Sequence, residues 1–228
     1  MRELIDSEPQ LIVVQDPRSA VAEAFRTLRT NIQFKSLDNP VRTILVTSSA
    51  AEEGKSTVVA NLAVSLAQTG AAVIAVDCDL RNPGLHRIFG LPNERGLTSL
   101  MLTPDSGLRE YLQRSEAGGV DVLTSGPLPP NPAELLGSKR MESLVRELRD
   151  MADYVVFDTP PVLAVTDAAV LATKVDGAIL VLSAGRARRD AAKKAKRTLE
   201  ELSGHFLGVV VNNVRADRES QSGYYART

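Results

Sequence analysis

Thr47-Ser48-Ser49-Ala50-Ala51-Glu52-Glu53-Gly54-Lys55-Ser56-Thr57 lies between an apolar run at 43–46 and an apolar, helix-forming stretch at 58–63. A buried strand, a turn of small residues and Gly-Lys-Ser opening a helix is how a chain wraps backbone N–H groups around a phosphate. Lys55 would then meet the outer phosphates, and the Ser56 hydroxyl would face Mg²⁺. The pattern is incomplete, because Ser49 stands where the usual motif has glycine six residues before the lysine.

Two further strand ends carry the same kind of signal. Residues 72–76 form an apolar run that ends on Asp77-Cys78-Asp79-Leu80-Arg81, and residues 154–157 form another that ends on Asp158-Thr159-Pro160-Pro161. Carboxylates at the carboxyl ends of parallel strands sit on the edge where open α/β sheets bind ligands. Alternation along the chain puts Asp77 and Asp79 on one side. Mg²⁺ takes hard oxygen ligands, developing phosphoryl charge calls for a lysine, and an acceptor hydroxyl calls for a nearby carboxylate. Lys55-Ser56, Asp77/Asp79 and Asp158 supply these types in the order of a nucleotide site, although spacing alone does not divide the tasks between the two residues of the Asp77/Asp79 pair.

The rest of the chain alternates strands and helices. Helical patterns are expected at 57–68, 133–151, 167–173 and 187–202, with short helical pieces at 97–102 and 108–112, and strands at 120–123, 177–182 and 207–211. The fold class is therefore α/β, a doubly wound, mostly parallel sheet with helices on both faces. An additional N-terminal helix at 19–34, capped by Ser19, places Val21, Phe25, Leu28 and Ile32 on one face and Glu23, Arg26 and Arg29 on another. With 228 residues and 43% hydrophobic content, one domain over 1–214 and a flexible polar tail over 215–228 is the expected division.

Charge and cysteine usage narrow the setting. A net charge of −1 gives no global attraction to nucleic acid or membrane. The single cysteine, Cys78, reads as a core residue and, with no basic-then-apolar leader, points to a reducing cytosol. No charge-free apolar run approaches the ~18 residues a membrane span needs. The basic run Arg186, Arg188, Arg189, Lys193, Lys194, Lys196, Arg197 lacks interleaved aromatics and reads as a solvated helix face, so no nucleic-acid partner is expected. The tail carries Tyr224 and Tyr225, half of the four tyrosines.

Taken together, these segments resemble the bacterial tyrosine kinases of capsule and exopolysaccharide synthesis over nearly the whole length. Glu23-x-x-Arg26-x-x-Arg29 looks like that family's oligomerisation helix, and residues 53–57 are similar to its Walker A motif. Residues 75–83 resemble its A′ motif and 155–161 its Walker B; 130–136 and 208–212 also match family segments. The resemblance implies a P-loop NTPase fold and an ATP- and Mg²⁺-dependent protein-tyrosine kinase that phosphorylates its own C-terminal tyrosines, here Tyr224 and Tyr225, between subunits of a ring. It implies nucleotide contacts from Glu53, Gly54, Lys55, Ser56, Thr57 and Asn212, metal binding by Ser56, Asp79 and Asp158, and Asp77 as the base for the tyrosine hydroxyl.

The implied partners are further copies of the chain, a transmembrane polysaccharide co-polymerase that supplies an activating cytosolic segment, and a cognate tyrosine phosphatase. The protein would then be cytoplasmic, held at the inner face of the membrane by that partner, as the form of the kinase separate from its membrane protein. Two departures stand out: Ala51-Glu52 replaces the Pro-Gly common in the family, and the tyrosine cluster is short. Two other readings are a partitioning or division-site switch ATPase and a non-catalytic nucleotide-binding subunit. The first is opposed by Ala50, which stands where such ATPases carry a signature lysine.

Overall fold

The computed structural model describes residues 11–36, 40–103 and 106–214; the 215–228 segment with Tyr224 and Tyr225 lies outside them. In chain order the elements are α1 (Ile12–Gln15), α2 (Ala20–Lys35), β1 (Thr43–Ser48), α3 (Lys55–Ala67), β2 (Val73–Asp77), α4 (Leu85–Phe89), α5 (Leu97–Leu102), β3 (Gln113–Arg114), β4 (Asp121–Leu123), α6 (Pro132–Gly137), α7 (Lys139–Met151), β5 (Tyr154–Asp158), α8 (Asp167–Ala172), β6 (Gly177–Ser183), α9 (Arg189–Leu202) and β7 (His205–Asn212). The strands form one sheet in the order β3-β4-β2-β5-β1-β6-β7, parallel throughout except for the β3–β4 pair.

Strand alternation divides the core between the two faces of this sheet. Ile44, Val46, Val73, Ala75, Val156 and Ile179 pack toward α1, α2, α3 and α4. Leu45, Ile74, Val76, Val155, Phe157 and Leu180 pack toward α5, α6, α7, α8 and α9. Burial on both faces explains why these strands read as continuous apolar runs rather than alternating ones. Cys78 is fully buried in the second of these cores.

The elements at 108–112, 113–114 and 133–151 differ from the sequence expectation. The helix expected over 133–151 is two helices, because Ser138 is extended (φ −66°, ψ 157°) and its hydroxyl accepts from the Met141 N–H, starting α7 afresh. The helical piece expected at 108–112 is a single 3₁₀ turn, Leu108–Glu110. Strand β3 is only two residues long, too short for any periodicity to reveal it.

Helix α2 lies outside the β-α alternation, capped by Ser19, whose hydroxyl accepts from the Ala22 N–H. Its buried residues are Ala22, Phe25 and Ile32, while Val21, expected on the inward face, is 53% exposed at a groove beside β7. The three charged residues of the family-like motif separate. Arg26 pairs with Glu23 at 2.7 Å on the helix surface, whereas Arg29 turns inward and donates to the Ser65 carbonyl of α3 at 2.7 Å.

Candidate active site

The loop between β1 and α3 is built around Glu53. Its side chain is buried, with Oε2 accepting from the backbone N–H of Ser49 (2.8 Å) and Ala50 (2.9 Å) and from the Ser49 hydroxyl (3.0 Å). Oε1 accepts from the Ser183 N–H at the end of β6, at 3.3 Å. The glutamate thus ties the loop to the neighbouring strand. Gly54 follows in the left-handed region at φ 86°, and a Cβ there would occupy the position of the Asn212 amide. Asn212, expected among the nucleotide contacts, donates to the Glu53 carbonyl at 3.1 Å from the end of β7.

Lys55 opens α3 and is buried, with Nζ 3.8 Å from Asp79 Oδ2. Asp79 Oδ1 accepts from the Asn82 N–H at 3.0 Å, which shapes the turn after β2. Burial raises the Asp79 carboxyl, and the Asn82 N–H and the Lys55 charge draw it back. Asp77 is fully buried: Oδ2 accepts from the Gly84 and Leu85 N–H groups, each at 3.0 Å, and Oδ1 from the Asp79 N–H at 3.3 Å. Its carboxyl is pushed well above the usual range, chiefly by burial and next by the charge of Asp158. Asp77 therefore ties the start of α4 to the end of β2.

Asp158 stands opposite Asp77 in the β2–β5 register. It is fully buried, and neither carboxylate oxygen has a formed hydrogen bond among the described residues. Burial lifts its carboxyl to about 7; the Lys55 ammonium and then the Ser56 hydroxyl pull the other way, and Asp79 adds a smaller upward push. A buried carboxylate whose oxygens accept no formed hydrogen bond costs free energy unless something completes it.

Between the loop and α4 lies a cleft of about 190 Å³, lined by Glu52, Lys55, Ser56, Thr57, Asp79, Asn82, Gly84, Arg87 and Ile88. Gly84 allows the close approach of the two walls, since a Cβ there would lie 2.9 Å from the Ser56 hydroxyl. The orphaned Asp158, the Asp79 carboxylate and the Ser56 hydroxyl fit Mg²⁺ as a donor set of hard oxygens. Among the described residues no three His, Cys, Asp or Glu side chains form a self-sufficient metal cage. A larger cleft of about 510 Å³ opens at the opposite sheet edge, but its charged groups are already engaged: Arg42 donates to the Ala152 carbonyl and Asp153 accepts from the Ala72 N–H.

The structure thus gathers Gly54, Lys55, Ser56, Thr57, Asp79 and Asp158 at one sheet edge and uses Glu53, Asp77 and Asn212 to hold the walls in place. Asn82, Gly84, Arg87 and Ile88 were not legible as site residues, because only the packing of α4 beside the loop brings them to the cleft.

Residues 44–227 match the model of the CobQ/CobB/MinD/ParA nucleotide binding domain. Tyrosine-protein kinase YwqD of Bacillus subtilis is 45% identical over 215 residues, covering 94% of this chain and 90% of that protein. Among solved structures, the chimerical protein CapA2B2 superposes with a TM-score of 0.86 at 41% identity over 90% of each chain. The kinase domain of Escherichia coli tyrosine kinase ETK also gives 0.86, at 34% identity over 91% of this chain and 82% of that one. Similarity at this level, sustained along most of both chains, shows kinship as well as architecture: the chain belongs to the bacterial tyrosine-protein kinases, within the CobQ/CobB/MinD/ParA class of P-loop nucleotide-binding domains.

Proposed function

We propose that this tyrosine kinase transfers the γ-phosphoryl group of ATP to Tyr224 and Tyr225 of a neighbouring copy, in the control of capsule or exopolysaccharide synthesis. The observation that carries the reading is Asp158, a fully buried carboxylate with no formed hydrogen bond, which feels the Lys55 charge and the Ser56 hydroxyl, two groups that line the cleft beside α4. Ser56, Asp79 and Asp158 would hold Mg²⁺, which supplies charge neutralisation on the phosphates. Lys55 stabilises the charge that develops on the transferred group, and Gly54, Ser56 and Thr57 present the start of α3 to the phosphates. The tyrosine oxygen bonds to the γ-phosphorus as the bond to the bridging oxygen breaks and ADP leaves. The family resemblance assigns the hydroxyl proton to Asp77; in this structure that carboxylate is fully buried, and Oδ1, with its single and longer hydrogen bond, is the oxygen left to take it once the tyrosine reaches the site.

Assembly completes the proposal. The groove between α2 and β7, lined by Val21, Phe25, Leu28, Val209 and Val211, is an apolar surface suited to self-association beside the Glu23–Arg26 pair. A transmembrane polysaccharide co-polymerase supplies the activating segment and keeps the kinase at the inner face of the membrane, and a cognate phosphatase resets the tyrosines. These partners rest on the family resemblance.

The test is a phosphosite map after incubating the purified chain with ATP and Mg²⁺, with and without the cytosolic segment of a candidate co-polymerase. Label is expected on Tyr224 and Tyr225 and absent in Lys55→Met. ATP hydrolysis without tyrosine label overturns the assignment.

A further inference from the structure

We infer that Arg81 and Asp167 are a positioning pair that sets Asp79 relative to Lys55 and the metal, an inference that rests on the nucleotide-and-metal part of the proposed function. Arg81 Nε donates to Asp167 Oδ2 at 2.9 Å and Nη2 to Oδ1 at 3.0 Å, a two-pronged contact that holds the guanidinium plane as well as its charge. Asp167 is fully buried in the first turn of α8, whereas the Arg81 side chain remains 44% exposed and reaches over the edge to meet it.

The two residues lead directly to the two metal-facing carboxylates. Arg81 lies two positions after Asp79, and Asp167 lies nine positions after Asp158, at the far end of the loop leaving β5. The turn carrying Asp79 is otherwise fixed from within and from one side: Cys78 N–H donates to the Asp158 carbonyl at 2.8 Å, Asp79 N–H to Asp77 at 3.3 Å and Asn82 N–H to Asp79 at 3.0 Å. Arg81–Asp167 is the ion pair that fastens the turn to the opposite layer. The 3.8 Å separation of Lys55 Nζ from Asp79 Oδ2 exceeds a hydrogen bond, so where Asp79 sits depends on how the turn is anchored rather than on a close contact with the lysine. A lysine at 81 would keep the charge but could not grip both oxygens.

The experiment compares the full chain with Arg81→Lys, Asp167→Asn and the double variant, measuring ADP affinity with Mg²⁺ and with EDTA, together with melting temperature and steady-state KM and kcat for ATP. A pair acting through Asp79 reduces the Mg²⁺-dependent gain in ADP affinity by about tenfold in each single variant. ADP affinity in EDTA stays within about twofold, and the double variant is no worse than the single ones because both remove one unit. Both single substitutions preserve side-chain volume, which keeps the test available if truncation at 81 prevents folding. An unchanged Mg²⁺-dependent gain, a wild-type chain with no such gain, a fall confined to melting temperature, or losses that simply add would each overturn the inference. ADP binding is read without phosphotransfer, so a wild-type chain that gains ADP affinity from Mg²⁺ but leaves its tyrosines unlabelled would sink the kinase assignment and leave the pair standing.

Discussion

The Asn212 side-chain amide donates to the Glu53 carbonyl at 3.1 Å, joining residues 159 positions apart, and in doing so fills the space a side chain at residue 54 would need. The end of β7 thereby closes the phosphate loop from outside. Asn212 therefore couples the end of the last strand to the loop that opens α3.

Gly54→Ala is expected to abolish nucleotide binding. The new Cβ would collide with the Asn212 amide, and φ 86° is a left-handed conformation that costs an L side chain roughly 1–2 kcal/mol. Asn212→Ala in the same chain removes the collision but leaves the backbone penalty, so calorimetric titration with ADP should show partial recovery. No recovery at all would mean that Asn212 is not the obstacle.

Glu53→Gln tests whether this carboxylate is a strut. Its oxygens accept from four donors on two segments, and an amide NH₂ would face one of those donors. Leaving such a buried group unsatisfied costs about 1–3 kcal/mol. The variant should melt earlier in the absence of nucleotide, whereas a glutamate that merely touched the ligand would leave the unliganded melting temperature unchanged.

Much of the site was legible because its residues follow buried strands. An apolar run that stops on Asp or on Gly-Lys-Ser marks the sheet edge where ligands bind, and Lys55, Asp77, Asp79 and Asp158 all follow from that rule. Their division of labour was not legible. Glu53 depends on Ser183, 130 residues away, and Arg81 depends on Asp167, 86 residues away, and sequence spacing carries no sign of either contact. The break at Ser138 escaped because the apolar positions on either side keep helical spacing across it, while one cap hydrogen bond ends the continuity. Arg29 looked like part of a charged outer face, yet its guanidinium reaches a backbone carbonyl on α3 that only packing brings near.

Glu52 should make nucleotide binding weaker than a glycine at that position would. It adopts φ 59°, a left-handed conformation, in the place where the family resemblance offers glycine, and its side chain lines the cleft proposed to take the phosphates. Glu52→Gln removes the repulsion alone, and Glu52→Gly removes both repulsion and strain, less the greater freedom glycine gains in the unfolded chain. ADP affinity is expected to rise in the order wild type, Gln, Gly, with the salt dependence reduced in both variants. Equal affinity in all three would show that neither charge nor strain at 52 matters.

Asp158 should make the nucleotide-free fold less stable as the pH rises. Its carboxyl titrates near 7 in the folded chain against an ordinary 3.8, so between those values the folded state holds a proton that the unfolded state has released. Stability from this group is complete below about pH 4, declines through the window and is lost above about pH 7. The span corresponds to roughly 4 kcal/mol, shared with Asp77, whose own carboxyl is raised in part by Asp158. Lys55 and Ser56 oppose the shift, and Asp79 adds to it, so replacing any of the three would move the window. Asp158→Asn removes the ionisable group at nearly constant volume. In EDTA the variant should lose less stability than wild type between pH 5.5 and 8, should be the more stable of the two at pH 8, and should leave the tyrosines unlabelled when ATP and Mg²⁺ are added. Urea melts at the two pH values measure the difference directly. Parallel losses in both proteins would place the titration elsewhere, and tyrosine labelling by the variant would remove Asp158 from the metal site.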